Sequence, residues 1–112
     1  MNLVINCTKI EELDETLQKV LCFYVYCSDF VPTKTLEALW KTLPTMPHGM
    51  KKALDLLTSK GMLSIFNYDW TSKMYVYCVS YKYYFPVLYF LKTRHPEWED
   101  DYRRVGLRGP EG

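Results

Sequence analysis

Apolar residues recur at helical spacing through Met50, Ala53, Leu54 and Leu57, and the pattern stops at Gly61. A helix is expected there. Gly61 follows the last periodic residue, where a helix commonly ends in a left-handed turn that glycine adopts cheaply. Lys60, just before it, suits the negative end of the helix dipole. Two strand-like segments follow, residues 62–68 and 73–79, joined by Asp69-Trp70-Thr71-Ser72. In the second, Met74, Val76 and Cys78 alternate with Tyr75, Tyr77 and Val79. Polarity does not separate its two faces, so it is expected to be covered on both sides.

Upstream, Thr8 and Glu11 read as a capping box. Leu13, Leu17, Val20, Leu21 and Tyr24 then form an apolar stripe, which predicts one helix over residues 9–27. Ser28 and Asp29 break it, and Phe30-Val31-Pro32 is extended, because the residue before proline avoids the helical region. Thr33 can cap a second helix carrying Leu36, Leu39, Trp40 and Leu43, which Pro44 closes. Pro47 opens the third, in a first turn that tolerates it. After the hairpin, Pro86 argues for a short fourth helix starting near that residue and ending before Pro96.

The polar stretch 97–112 reads as a tail that is disordered or orders on binding. Helix, glycine and hairpin in this order make the second half of a winged helix. The expected fold is therefore α+β: three helices, a two- or three-stranded wing hairpin, a short C-terminal helix and a tail. Residues 1–95 form the domain and 96–112 the tail.

The chain has 112 residues, enough for one domain with one core, and 48% of them are hydrophobic. Aromatics make up 16%, mostly tyrosine, which serves both packing and docking. The formal net charge of +1 argues against a purely electrostatic nucleic-acid binder, so any basic face must be local. Cys7, Cys22, Cys27 and Cys78 contain no Cys-x-x-Cys pair, and the histidines are His48 and His95. Reduced, mostly buried thiols are expected rather than a disulfide or metal site. No targeting segment is expected, because the first residues lack a charged stretch and a long apolar run. Residues 20–27 and 83–91 are apolar but fall well short of the ~20 needed to span a bilayer.

Candidate chemistry is thin. The acidic clusters at Glu11, Glu12, Asp14, Glu15 and at Glu97, Glu99, Asp100, Asp101 read as a helix start and a solvated run. No phosphate loop or dinucleotide fingerprint is present, so no enzymatic activity and no cofactor are expected. Lys51 and Lys52 lie at the start of the third helix, the recognition position of a helix-turn-helix unit. Lys73 falls at the wing tip, and Lys92, Arg94, Arg103, Arg104 and Arg108 gather near the C-terminus. Arginine forks suit phosphate, and the Arg103-Arg104 pair has no packing reason to be arginine. Trp40 belongs to the core stripe. Trp70 sits in the predicted turn, either exposed for docking or folded back on the sheet. Tyr81, Tyr83, Tyr84 and Tyr89 read as packing and rim.

These residues carry a family resemblance. Met50-Lys51-Lys52-Ala53-Leu54 through Leu57 and Ser59-Lys60-Gly61, then Trp70, Tyr75-Val76-Tyr77, Leu88 to Leu91, Pro96-Glu97 and Arg103-Arg104, resemble in order the plectin/S-ten domain. That is the fold of the eukaryotic small-subunit ribosomal protein S-ten. The likeness runs from about Thr16 to the C-terminus. The chain departs from the pattern after its last strand, where Val79-Ser80-Tyr81-Lys82-Tyr83 lacks the usual glutamate and glycine. Its basic glycine-rich tail is cut to residues 106–112.

The resemblance implies a divergent, shortened member: a non-enzymatic structural constituent of the small ribosomal subunit in the cytoplasm. It would sit on the head near the beak, where messenger RNA enters, binding ribosomal RNA and neighbouring ribosomal proteins. Arg103, Arg104 and Arg108 would contact phosphate, with Lys51, Lys52 and Lys73 as further candidates and Trp70 for protein docking. Two alternatives stand beside it. One is a protein-docking winged helix. The other is a small DNA-binding regulator, for which His48, Lys51, Lys52, Asp55 and Thr58 offer a thin base-reading code.

Overall fold

In the computed structural model, residues 5–27, 31, 33–42, 49–71 and 73–106 are described. The expected first helix is two. Helix α1 (Thr8–Glu11) and helix α2 (Glu15–Tyr26) are separated at residues 12–14. The chain turns there because Asp14 is extended (ψ 147°) and only its carbonyl enters α2, accepting from Gln18 N at 2.9 Å. The break is supported from inside: buried Gln18 donates through Nε2 to the Ile10 carbonyl at 3.0 Å. The capping box is also replaced. Cys7 holds the N-cap, Asn6 Oδ1 accepts from Thr8 N at 2.9 Å, and the Glu11 carboxylate reaches Arg94.

Helix α2 is the centre of the molecule. Val20, Leu21, Cys22 and Phe23 are all fully buried, so it is apolar around its circumference, as a core helix must be. Helix α3 (Thr33–Thr42) takes in Thr33, expected as its cap, and buries Leu36 and Leu39, with Trp40 half-buried against the core. Its expected end at Leu43 and Pro44, the extended Phe30 and Pro32, and the Pro47 helix start lie outside the described residues.

Helix α4 (Gly49–Ser59) turns Ala53, Leu54 and Leu57 inward. It closes as a Schellman motif. Met62 N donates to the Leu57 carbonyl at 3.0 Å and Gly61 N to the Thr58 carbonyl at 2.9 Å. Gly61 has φ +75°, and Met62 and Leu57, the apolar pair of the motif, are both buried.

Strands β1 (Leu63–Asp69) and β2 (Met74–Val79) form a two-stranded antiparallel hairpin, with Leu63 opposite Val79 and Tyr68 opposite Tyr75. A bulge falls between Ile65 and Asn67, at Phe66. Among the described residues the fold is thus α+β: six helices and a two-stranded sheet, compatible with a winged helix. The hairpin is not covered on both faces. Tyr77 and Val79 face the core, while β1 is exposed from Ser64 to Asn67. The apolar alternation of β2 reflects one core-facing row and one row, Val76 and Cys78, that is only half-buried.

Helix α5 (Tyr81–Arg94) starts at Tyr81, not near Pro86. Pro86 lies inside the helix, past its first turn, and its missing N–H removes the bond to the carbonyl of the exposed residue Lys82. Ser80 N donates to the Met62 carbonyl at 2.8 Å, which fixes the start of α5 against the base of the wing.

The reading of residues 97–112 as a tail differs from the structure over helix α6 (Trp98–Gly106). Trp98, Tyr102 and Val105 are buried, spaced four and three residues apart on one face. Tyr102 is among the largest fully buried side chains and packs its ring 5.0 Å from Phe23. Burying each such side chain contributes about 1.5–3 kcal/mol. His95 stacks on Trp98 with ring centroids 3.8 Å apart, and Lys92 pairs with Glu99 at 2.7 Å across the bend between α5 and α6. No described helix is long and apolar enough to cross a membrane.

Candidate functional site

The inward stripe of α4 leaves Lys51 and Lys52 in solvent. Lys51 Nζ lies 3.6 Å from Asp55 one turn on, while Lys52 has no carboxylate partner among the described residues. The Schellman turn then carries the chain directly into β1, which packs on α4. Burial pushes the Tyr77 hydroxyl above its ordinary pKa, and the negative charge of Asp55 on α4 adds to the effect.

The wing tip is open to solvent, with Thr71 and Lys73 exposed. Asp69 Oδ1 accepts from Thr71 N at 3.0 Å, and Lys73 adopts φ 58°, which bends the chain back into β2. Trp70 is 81% exposed. Its ring nevertheless leans back on the end of the sheet. It meets Tyr68 edge to face at 4.6 Å, and Tyr68 meets Tyr75 at 5.1 Å in the same manner. Two of the sequence candidates, Trp70 and Lys73, thus share one exposed turn, with Trp70 at the end of an aromatic ladder.

Arg103 and Arg104 stand elsewhere, on α6, which packs on α2 and α3. Both are exposed, and both have local partners that the sequence reading did not foresee. Arg103 Nη1 donates to Asp100 Oδ1 at 2.8 Å, and Arg104 pairs with Asp101. Acids fill the first turn of α6 and arginines the last, which complements the helix dipole at both ends. Lys19 and then Arg104 hold the Asp101 carboxyl below the usual range, the Lys19 hydrogen bond being the main cause. Asp100 likewise holds the Arg103 guanidinium above its ordinary value. Arg108 lies outside the described residues.

Several exposed apolar residues escaped the sequence reading. Ile65 and Phe66 on β1 are exposed, Phe66 at the bulge. Phe85 on α5 is exposed beside an open cleft of about 440 Å³ between α5 and β2, lined by Cys78, Tyr81 and Tyr84. The other tyrosines of α5 divide as packing and rim: Tyr83 and Tyr84 are half-buried, Tyr81 and Tyr89 exposed. Only the helical phase of α5 could have marked Phe85, and the proline had hidden that phase.

Burial pushes the Cys7, Cys22 and Cys27 thiols up, Cys27 to about 11, which keeps them protonated and weakly nucleophilic. Among the described residues no group of His, Cys, Asp and Glu could hold a metal ion. What the exposed face offers is contact chemistry: ring faces, ammonium groups and an apolar rim.

No protein-family model matches the chain, and neither a curated protein nor a solved structure matches it.

Proposed function

We propose that the protein is a non-enzymatic winged-helix constituent of the small ribosomal subunit, held by ribosomal RNA and by neighbouring proteins. The observation that carries the reading is the exposed wing turn that holds Trp70 and Lys73, on a hairpin led into by the helix whose Lys51 and Lys52 are also exposed. Cations on a helix and an open ring on a wing suit RNA, which is recognised through phosphate, shape and splayed bases. The ribosome itself is supplied by the resemblance to the plectin/S-ten domain. So are the cytoplasmic setting and the placement on the head near the beak, where messenger RNA enters. A near-neutral chain fits joint retention by RNA and protein better than retention by charge alone.

A second reading is a protein-docking winged helix without a nucleic-acid role. Exposed Ile65, Phe66 and Phe85 favour it, since a free monomer gains nothing from such side chains in water. A sequence-reading DNA regulator has less support. Asp55 is engaged by Lys51, and Thr58 Oγ1 donates back to the Leu54 carbonyl at 2.7 Å, so the outer face of α4 has few groups left to read bases.

The test is sedimentation of the tagged chain from native lysate, with and without mild ribonuclease. Migration with free small subunits and with whole ribosomes, lost only when the subunits fall apart, is the expected result. A light peak at the top of the gradient sinks the ribosomal reading. Nuclease-resistant association with a complex other than the ribosome favours the docking module.

A further inference from the structure

The wing tip differs in kind from the apolar rim around Phe66 and Phe85. Its described side chains are rings and polar groups: Trp70, Tyr68 and Tyr75, with Lys73, Thr71 and Asn67 around them and Asp69, whose carboxylate accepts from Thr71 N. With Trp70 81% exposed and Tyr68 meeting it edge to face, at least one face of the indole is open to solvent. The ladder behind it limits the ring's freedom, so a flat ligand finds a platform already placed. Lys73 has no carboxylate partner among the described residues and sits three positions along the same turn. An open indole and an uncommitted ammonium on one turn match an unpaired nucleotide, whose base stacks while its phosphate is neutralised.

We propose that the wing tip binds an unpaired RNA nucleotide, the base stacking on Trp70 and an adjoining phosphate meeting Lys73. The inference rests on the RNA-binding reading above and names the class of RNA that this face takes: loops, bulges or single strands rather than duplex. It also reassigns Trp70, which sequence alone marks for protein docking. Stacking tolerates every base, so the site selects exposure of a base, not its identity.

The test uses the full chain and synthetic octaribonucleotides of uridine and of adenosine, with an RNA duplex of equal length as control. Binding is read by anisotropy and by tryptophan emission. Trp98 is buried and Trp40 half-buried, so stacking at Trp70 dominates any quenching. The single strands are expected to bind and to quench, with the duplex weaker. Trp70→Phe keeps a stacking ring and most of the affinity, whereas Trp70→Ala loses about five- to a hundred-fold. Lys73→Ala lowers the salt slope by about 0.7, the share of one single-strand phosphate. Thermal melts of both variants should match the parent, since neither side chain is in the core.

Binding that is unchanged in Trp70→Ala, or that leaves emission unaltered, overturns the proposal. So does a chain that ignores the oligonucleotides yet leaves the small subunit when Trp70 is removed, because a protein then covers the ring. Trp70-dependent RNA binding by a chain that never sediments with ribosomes supports the stacking site and sinks the ribosomal reading. Co-sedimentation without any Trp70 dependence does the reverse.

Discussion

The Tyr102 hydroxyl donates to the Lys19 carbonyl at 2.6 Å, which fastens α6 to the central helix α2. Lys19 contributes at its other end too, with its ammonium 2.8 Å from Asp101 and 5.9 Å from the Trp98 ring centroid. Helix α6 is therefore part of the domain core and not an appendage. Tyr102→Phe should cost about 1 kcal/mol, the net worth of one hydrogen bond. Tyr102→Ala should cost about 3–5 kcal/mol, because the cavity left between α2 and α6 cannot fully collapse. A chain ended after residue 95 loses Trp98, Tyr102 and Val105 together and should fail to fold cooperatively. Urea unfolding of the three variants checks the series; a truncated chain as stable as the parent would refute this account of the core.

Asp101 makes this clasp sensitive to acid. Its carboxyl is held below the usual range, first by the Lys19 hydrogen bond. A depressed folded pKa means stability that is fully present above the unfolded value, about 4, and is lost as pH falls through the folded pKa. The side chain is a third exposed, so the contribution is modest, about 0.5–1 kcal/mol. Asp101→Asn should melt below the parent at pH 6, and the gap should close as both are acidified below pH 3. A gap independent of pH would assign the loss to packing instead of charge.

The wing and α4 were legible because their signals are local. Helical spacing ended at a glycine, and the next segments held strand formers around a turn. Gly61 then took the left-handed conformation that its position after Leu57 implied. Helix α6 was not read, because three apolar residues among Glu99, Asp100, Asp101, Arg103 and Arg104 resemble a solvated run unless their phase is counted. Pro86 misled in the opposite direction. Proline is costly in a helix interior, yet α5 runs through Pro86 because Val87, Phe90 and Leu91 of the same helix are buried in the core. The arginine pair showed the limit of composition: Asp100 and Asp101 gave it a local reason that only the helix could reveal. The split between α1 and α2 depended on Gln18 reaching Ile10, a tertiary contact with no mark in the periodicity.

Gly61 offers a clean test of the α4-to-wing junction. No atom lies within 4 Å of where a Cβ would stand, so Gly61→Ala meets no clash and carries only the cost of a left-handed alanine. That cost is about 1–2 kcal/mol. Gly61→Asn should cost less, since asparagine tolerates the conformation better. Leu57→Ala, at a fully buried position of the same motif, should cost about 2–5 kcal/mol. Equal losses for alanine and asparagine at position 61 would show that backbone strain does not decide the junction.

The arginines of α6 can be judged only against their own acids. Exposed pairs such as Arg103–Asp100 are weak and screened by salt, so a phosphate can displace the carboxylate at little cost. If RNA does so, Arg103→Gln with Arg104→Gln should release the chain from small subunits at raised salt. It should also lower the salt slope of binding by about 1.4–1.8, the share of two phosphates. Glutamine is the informative choice. Charge reversal would set glutamates beside Asp100 and Asp101, adding a repulsion of about 0.2–0.5 kcal/mol per pair that belongs to the helix and not to RNA. Circular dichroism and melting of the glutamine variant should stay near the parent, because both side chains point to solvent. Retention of the variant on small subunits at raised salt, with its salt slope unchanged, would confine these arginines to balancing the dipole of α6. The RNA contacts would then fall to Lys51, Lys52 and the wing.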